Sequence, residues 1–304
     1  MTRRSTARRT FGVVLAAGLA LTPVLATAGA LDLYYERSVM VAADSRCNLF
    51  TPPISAALAA SKAQARGAAL RSGIANEGLV EVERRAASKA GAVACDSPDI
   101  ATAAARVRQA FEGFARLTRL SYPGEMAGWM AERAQPQPGL AAWGLKQTAK
   151  FGWDRMDFGL ALRDGRQSLL AVASFADNGR PYTARLVMRD TARAPQPYLD
   201  GRNTDANGRI PLSDRAAPRS ASLVFTAEAR SAAGRDLIGE DGAAGWAFRF
   251  PAAAATALAG LDPRESVTVE FVFQGAGGDL VKTAYVEVGD FAAGRAFLAA
   301  SATR

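Results

Sequence analysis

The chain has 304 residues, 49% of them hydrophobic and 22% charged, with 37 Lys plus Arg against 29 Asp plus Glu, two Cys and no His. That apolar fraction at that length supports a normal core with room for two modest domains, which excludes an intrinsically disordered or fibrous chain. Without an imidazole, Ser-His-Asp and Cys-His catalysis and every His-containing zinc pattern are excluded, and two Cys alone cannot close a four-ligand zinc site.

The first thirty residues account for part of the charge. Arg3, Arg4, Arg8 and Arg9 form a basic start, Phe11 to Leu25 an apolar stretch, and Ala26-Thr27-Ala28 and Ala28-Gly29-Ala30 are small-x-small cleavage sites. This reads as a secretory signal peptide over residues 1–30. Arg8-Arg9 resembles a twin-arginine export signal, although Ala7 and Gly12 depart from that pattern and favour general secretion. The alternative is an uncleaved inner-membrane anchor over residues 11–31. Removing the four arginines of this segment leaves 33 basic and 29 acidic residues, a net charge of +4 in place of +8. A nucleic-acid partner loses its main support. Only five of the basic residues are Lys, and the Ala and Arg richness matches the codon bias of a GC-rich bacterial genome. The expected location is therefore periplasmic or secreted. In an oxidising compartment, Cys47 and Cys95 pair most simply as one structural disulfide.

Residues 31–135 read as helical. Asp32 to Asp44 lack Gly and Pro. Thr51 with Pro52 and Pro53 opens a helix running to about Ser72, with Gly67 as a weak point. A third helix spans Asn76 to Ala90. Ser97-Pro98 opens a fourth, on which Ile100, Ala104, Val107, Phe111 and Phe114 form one apolar stripe. Arg106, Arg108, Arg116 and Arg119 lie off that stripe and read as a solvated face, with a patch for anionic glycan or lipid as the alternative. A short helix around Glu125 to Ala134 is expected to close this half. Residues 136–145, with Pro136, Pro138, Gly139 and Gly144, read as a linker.

From residue 146 to 304 the period changes to two. Met156, Phe158, Leu160 and Leu162 alternate with smaller or polar residues, and Asp164-Gly165 turns into a strand from Ser168 to Phe175. Asp177-Asn178-Gly179 turns into Tyr182 to Met188, and further strands fit 221–230, 246–250, 266–274 and 281–288. Helices fit Ala253 to Leu261 and, capped by Asp290, Phe291 to Ala300. The fold class is α+β: an N-terminal disulfide-pinned helical bundle, then a mainly antiparallel, sandwich-like β domain with a C-terminal helix.

One segment carries a metal-site pattern. Asn203, Asp205, Asn207, the Arg209 backbone carbonyl and Asp214, with Gly208 at the turn, follow the oxygen spacing of a calcium loop. Asn at the first position, Asp in place of the bidentate Glu, and Pro211 favour a plain polar turn, with a weak calcium loop as the alternative. No other cofactor is expected. The chain lacks G-x-S-x-G, S-x-x-K and phosphate-loop motifs. Asp154, Asp157, Glu228 and Asp236 are candidates for a carboxylate pair, and Trp129, Trp143, Trp153 and Trp246 for a sugar-stacking platform, but surface acids and packing explain them more simply. The expectation is thus an exported cell-envelope protein that binds an envelope protein or a cell-wall component and is not an enzyme. The alternatives are a carboxylate-dependent glycan hydrolase and a carrier of a small apolar ligand between the domains.

Overall fold

Residues 24–133, 135–199, 203–239 and 244–300 are described by a computed structural model. The expected signal peptide lies largely outside these residues. Helix α1 (Val24–Cys47) runs through both small-residue sites, followed by α2 (Pro52–Arg71), α3 (Asn76–Ala92) and α4 (Pro98–Arg116). None of the described helices is long and apolar enough to cross a membrane.

Local chemistry sets these boundaries. The Ser97 hydroxyl accepts the Ile100 N–H at 3.2 Å, capping α4 as expected. Thr51 makes no such side-chain bond. Instead the Asp44 carboxylate accepts the Phe50 N–H at 3.0 Å and the Ser55 hydroxyl at 2.6 Å, which fastens the start of α2 to the end of α1. Tyr34, Ala65, Ala69, Leu70, Leu79 and Val82 form the core of α1, α2 and α3. The Tyr34 hydroxyl donates to Glu83 at 2.5 Å, and Lys62 pairs with the same carboxylate at 2.7 Å. Cys47 and Cys95 form the disulfide, with Cα atoms 5.6 Å apart, and join the last residue of α1 to the connection before α4.

The sheet begins earlier than the sequence indicates. β1 (Arg119–Tyr122) and β2 (Trp129–Glu132) pair antiparallel, and β2 continues onto β3 (Ala141–Phe151). The helix expected at 125–134 is therefore absent. Trp129 and Ala131 are buried while Met130 and Glu132 are half-buried, an alternation that suits a strand. The segment 136–145 carries the start of β3.

The remaining strands are β4 (Asp154–Arg163), β5 (Arg166–Ser174), β6 (Thr183–Arg189), β7 (Ser222–Thr226), β8 (Ala229–Ala232), β9 (Trp246–Phe250), β10 (Ser266–Gly275) and β11 (Gly278–Glu287). They build a seven-stranded sheet, β1-β2-β3-β4-β5-β9-β8, and a four-stranded sheet, β11-β10-β6-β7. Asp164 and Gly165 both have positive φ, the backbone a tight hairpin between β4 and β5 demands. The single strand expected at 221–230 is two strands in different sheets. The chain changes sheets at Ala227 and Glu228, whose N–H groups donate to Ala184 on one sheet and Arg249 on the other.

Both sheets feed one core. Met156, Phe158, Leu169, Ala171 and Phe248 face Leu186, Val267, Val269, Phe271 and Val286. Buried Gln147 bridges the layers: its side-chain amide donates to the Glu287 carbonyl at 3.1 Å and accepts the Glu287 N–H at 2.8 Å. α5 (Arg235–Ile238) is a single turn on the outer face of the larger sheet, α6 (Ala252–Ala259) precedes β10, and α7 (Phe291–Ala299) covers the open edge of the core with Phe291, Phe297 and Leu298. Asp290 precedes α7 but does not cap it with its side chain. Its carboxylate takes the Arg71 guanidinium of α2 at 2.9 and 3.0 Å, which docks the helical half onto the sheets. Gly67 allows this approach, since a Cβ there would lie 2.4 Å from the Asp290 carboxylate.

Candidate functional site

The β3–β4 hairpin presents the most unusual surface residue of the described chain. Phe151 stacks on Phe271 with centroids 5.8 Å apart and meets Phe175 edge-on at 6.2 Å, so one arm of the hairpin is fixed in the core. Gly152 makes the turn at φ 63°. Asp154 fixes the other arm: its buried carboxylate accepts the Ala176 N–H at 2.9 Å and the Lys282 ammonium at 2.8 Å. Between these anchors Trp153 is 94% exposed. An indole of that size left in water on a braced turn contributes nothing to folding by burial.

Beside it lies an open cleft of about 410 Å³ bordered by Phe151, Asp154, Asp177, Lys282 and Thr283. Lys282 reaches Asp177 at 2.9 Å as well as Asp154, and its ammonium lies 5.3 and 5.6 Å from the Phe175 and Phe273 ring centres. Burial alone lowers the Lys282 ammonium, but the two carboxylates outweigh it and hold the group above the ordinary lysine range. The hydrogen bond from Lys282, aided by the Gly179 N–H, holds the exposed Asp177 carboxyl below its ordinary value. The cleft thus offers one apolar indole face, a fixed cation and an accessible carboxylate. Such a set packs against the C–H face of a sugar ring and hydrogen-bonds its hydroxyls.

The other tryptophans are structural. Trp129 is buried, donating its indole N–H to the Val288 carbonyl at 3.0 Å and meeting Phe291 edge-on. Trp143 donates to the Leu237 carbonyl at 2.9 Å, and Trp246 carries the Arg230 guanidinium 3.6 Å over its ring. The four therefore form no joint platform, and packing describes three of them but not Trp153.

The candidate acids are also separated. Asp157 lies three residues from Asp154 on β4, on the opposite face of the sheet, with Lys146 at 3.7 Å and Arg155 at 3.4 Å. Glu228 pairs with Arg249 at 3.8 Å, and Asp236 accepts the Ala141 N–H at 2.7 Å with Arg163 3.5 Å away. Each has a cationic neighbour, and none forms a pair across an open site.

In the proposed calcium loop, Asp205 takes part in a tight turn. Its carboxylate accepts the Asn207 and Arg209 N–H groups at 2.8 and 2.9 Å and pairs with the Arg209 guanidinium at 2.9 Å. The Arg209 carbonyl, expected as a ligand, accepts the Asp205 N–H. Asp214 lies in a 3-10 turn and accepts the Ser213 hydroxyl. The loop is thus closed by an arginine, and among the described residues no group of three acidic or Cys side chains is arranged for a metal ion. Of the α4 arginines, Arg108 donates to the Leu49 carbonyl at 2.8 Å, while Arg119 belongs to β1 and pairs with Glu132. The gap between α2 and the β half, about 270 Å³, is bordered by Arg66 and Asp290 as well as by Ala63 and Leu261, a charged lining for an apolar ligand.

Comparison with known protein families, with curated proteins and with solved structures finds no match to this chain.

Proposed function

We propose that the chain is an exported bacterial envelope protein that acts by binding, and that its ligand is a sugar unit of a cell-wall or surface glycan held against Trp153. Export is supported by the N-terminal charge and hydropathy pattern and by the disulfide, which persists in oxidising compartments. The observation that carries the binding role is the 94% exposed Trp153 on a hairpin anchored at both arms, beside the Lys282–Asp177 pair. In this cleft Asp154 and Asp177 share the Lys282 ammonium, and the exposed Asp177 carboxylate is the group that accepts hydrogen bonds from sugar hydroxyls.

The test is saturation-transfer NMR of the oxidised protein with soluble peptidoglycan fragments and neutral oligosaccharides. Binding should weaken at least tenfold, about 1.4 kcal/mol, in Trp153→Ala with no change in melting temperature. Asp177→Asn should weaken it less. If no fragment binds, or if Trp153→Ala binds as the parent does, the reading falls. Binding of Trp153 to lipid vesicles alone would replace it with a membrane role.

A further inference from the structure

The opposite end of β4 carries a second concave feature that the glycan reading does not use. We infer that it is a site for a phosphoryl group, gripped by Arg163, Arg166 and Arg249. These three arginines come from three strands and line one pocket of about 240 Å³ on the outer face of the seven-stranded sheet. Arg163 and Arg166 face each other across the β4–β5 hairpin, and Arg249 lies on β9 opposite Leu170, on the same sheet face.

The wall opposite the sheet is built, not incidental. Residues 233–238 are strapped over the sheet by the Asp236 carboxylate on the Ala141 N–H and by the Trp143 indole on the Leu237 carbonyl. Leu237 is buried there against Ala141, Ala161, Val172 and Ala247. Ser168 and Ser231 also line the pocket and bring hydroxyl groups to it.

The charge balance points to an anion. Asp236 lies 3.5 Å from Arg163 and Glu228 lies 3.8 Å from Arg249, longer than charge-assisted hydrogen bonds, and the side chains of both arginines are more than half exposed. Arg166 has no partner among the described residues. Three guanidiniums against two loosely held carboxylates leave the pocket cationic. A planar carboxylate engages one guanidinium fork, whereas a tetrahedral phosphoryl group presents oxygens in several directions and carries close to two charges. Arginines arriving from three strands suit the second geometry.

The chemistry has two sources, free phosphate or the phosphate of a sugar monoester, and calorimetry with inorganic phosphate and with glucose 1-phosphate separates them. Saturable binding that weakens with salt is expected for at least one, tighter for glucose 1-phosphate if the sugar is also recognised. The double variant Arg166→Gln/Arg249→Gln should bind at least tenfold more weakly, while Trp153→Ala, at the other end of the strand, should bind inorganic phosphate unchanged. That separates this site from the glycan cleft. A second double variant, Arg106→Gln/Arg116→Gln on exposed α4 positions, should also bind unchanged. The inference is overturned if neither probe saturates, if Arg166→Gln/Arg249→Gln binds as the parent does, or if the α4 variant loses as much affinity.

Discussion

Glu287 on β11 is the residue on which the turn between β1 and β2 depends most. Its side chain is fully buried, and its two oxygens accept the N–H groups of Glu125, Met126 and Ala127 at 2.7, 2.8 and 2.7 Å. A carboxylate can satisfy three converging donors, while an amide turns its own N–H₂ group toward them. Glu287→Gln is therefore expected to destabilise by about 2–4 kcal/mol, because a buried donor left unpaired costs more than a typical bond contributes. Urea denaturation reads this as a lower midpoint at unchanged slope. Glu83 gives the pH-dependent counterpart. Burial raises its carboxyl, but Lys62 and the Tyr34 hydroxyl outweigh burial and hold it below the ordinary glutamate range. Its contribution is accordingly present above the unfolded pKa of about 4.3 and is lost as pH falls through the lower folded value. The melting-temperature difference between the parent and Glu83→Gln should be constant above about pH 5 and close in more acid solution. If the difference persists there, the ion pair contributes nothing.

At the scale of elements, much was legible where one physical rule acts alone. The Ser97 cap and the Asp164-Gly165 turn follow from local backbone geometry, and the period of two in β4 follows from the core positions of Met156, Phe158 and Leu160. β3 was hidden because its register shifts between Trp143 and Leu145. Trp143 faces outward with Ala161, Leu145 faces the core, and the next core-facing position is the polar Gln147, so period-two reading finds no consistent face. β2 was hidden because what holds it, the Glu287 cradle, comes from a residue far along the chain. The Trp153 cleft was half legible: its aromatic was visible, but the meeting of Asp154, Asp177 and Lys282 depends on three separate strands and turns. The disulfide was fully legible, since two cysteines leave one pairing. It closes a loop of 48 residues, and its removal in Cys47→Ser/Cys95→Ser should cost about 2–5 kcal/mol. Because α4 buries only Ile100 and Ala104 fully, hydrogen exchange should rise first in α4 of that variant.

For the whole molecule, the question is whether the helical half and the sandwich unfold together. The Arg71–Asp290 pair, with Asp290 almost fully buried, and the packing of α2 on α7 join them, and each half contains one buried tyrosine that reports on it. Burial, with Glu83 beside the hydroxyl, raises the Tyr34 phenol; burial, with Asp290 nearby, raises that of Tyr122. Both phenols are held above the unfolded value, so the stability they contribute is present below about pH 10 and is lost as pH rises beyond it toward the folded values. Of the six tyrosines, these two should ionise only when their surroundings open. In an alkaline titration followed at 295 nm, both are expected to appear in one step that coincides with the loss of far-ultraviolet dichroism. Arg71→Ala leaves the Asp290 carboxylate buried without its cation, a cost of about 3–5 kcal/mol placed at the contact between the halves. In that variant Tyr34→Phe and Tyr122→Phe should assign two separated steps, one to each half. A single step that stays single would mean that the packing of α2 on α7 couples the halves without the ion pair.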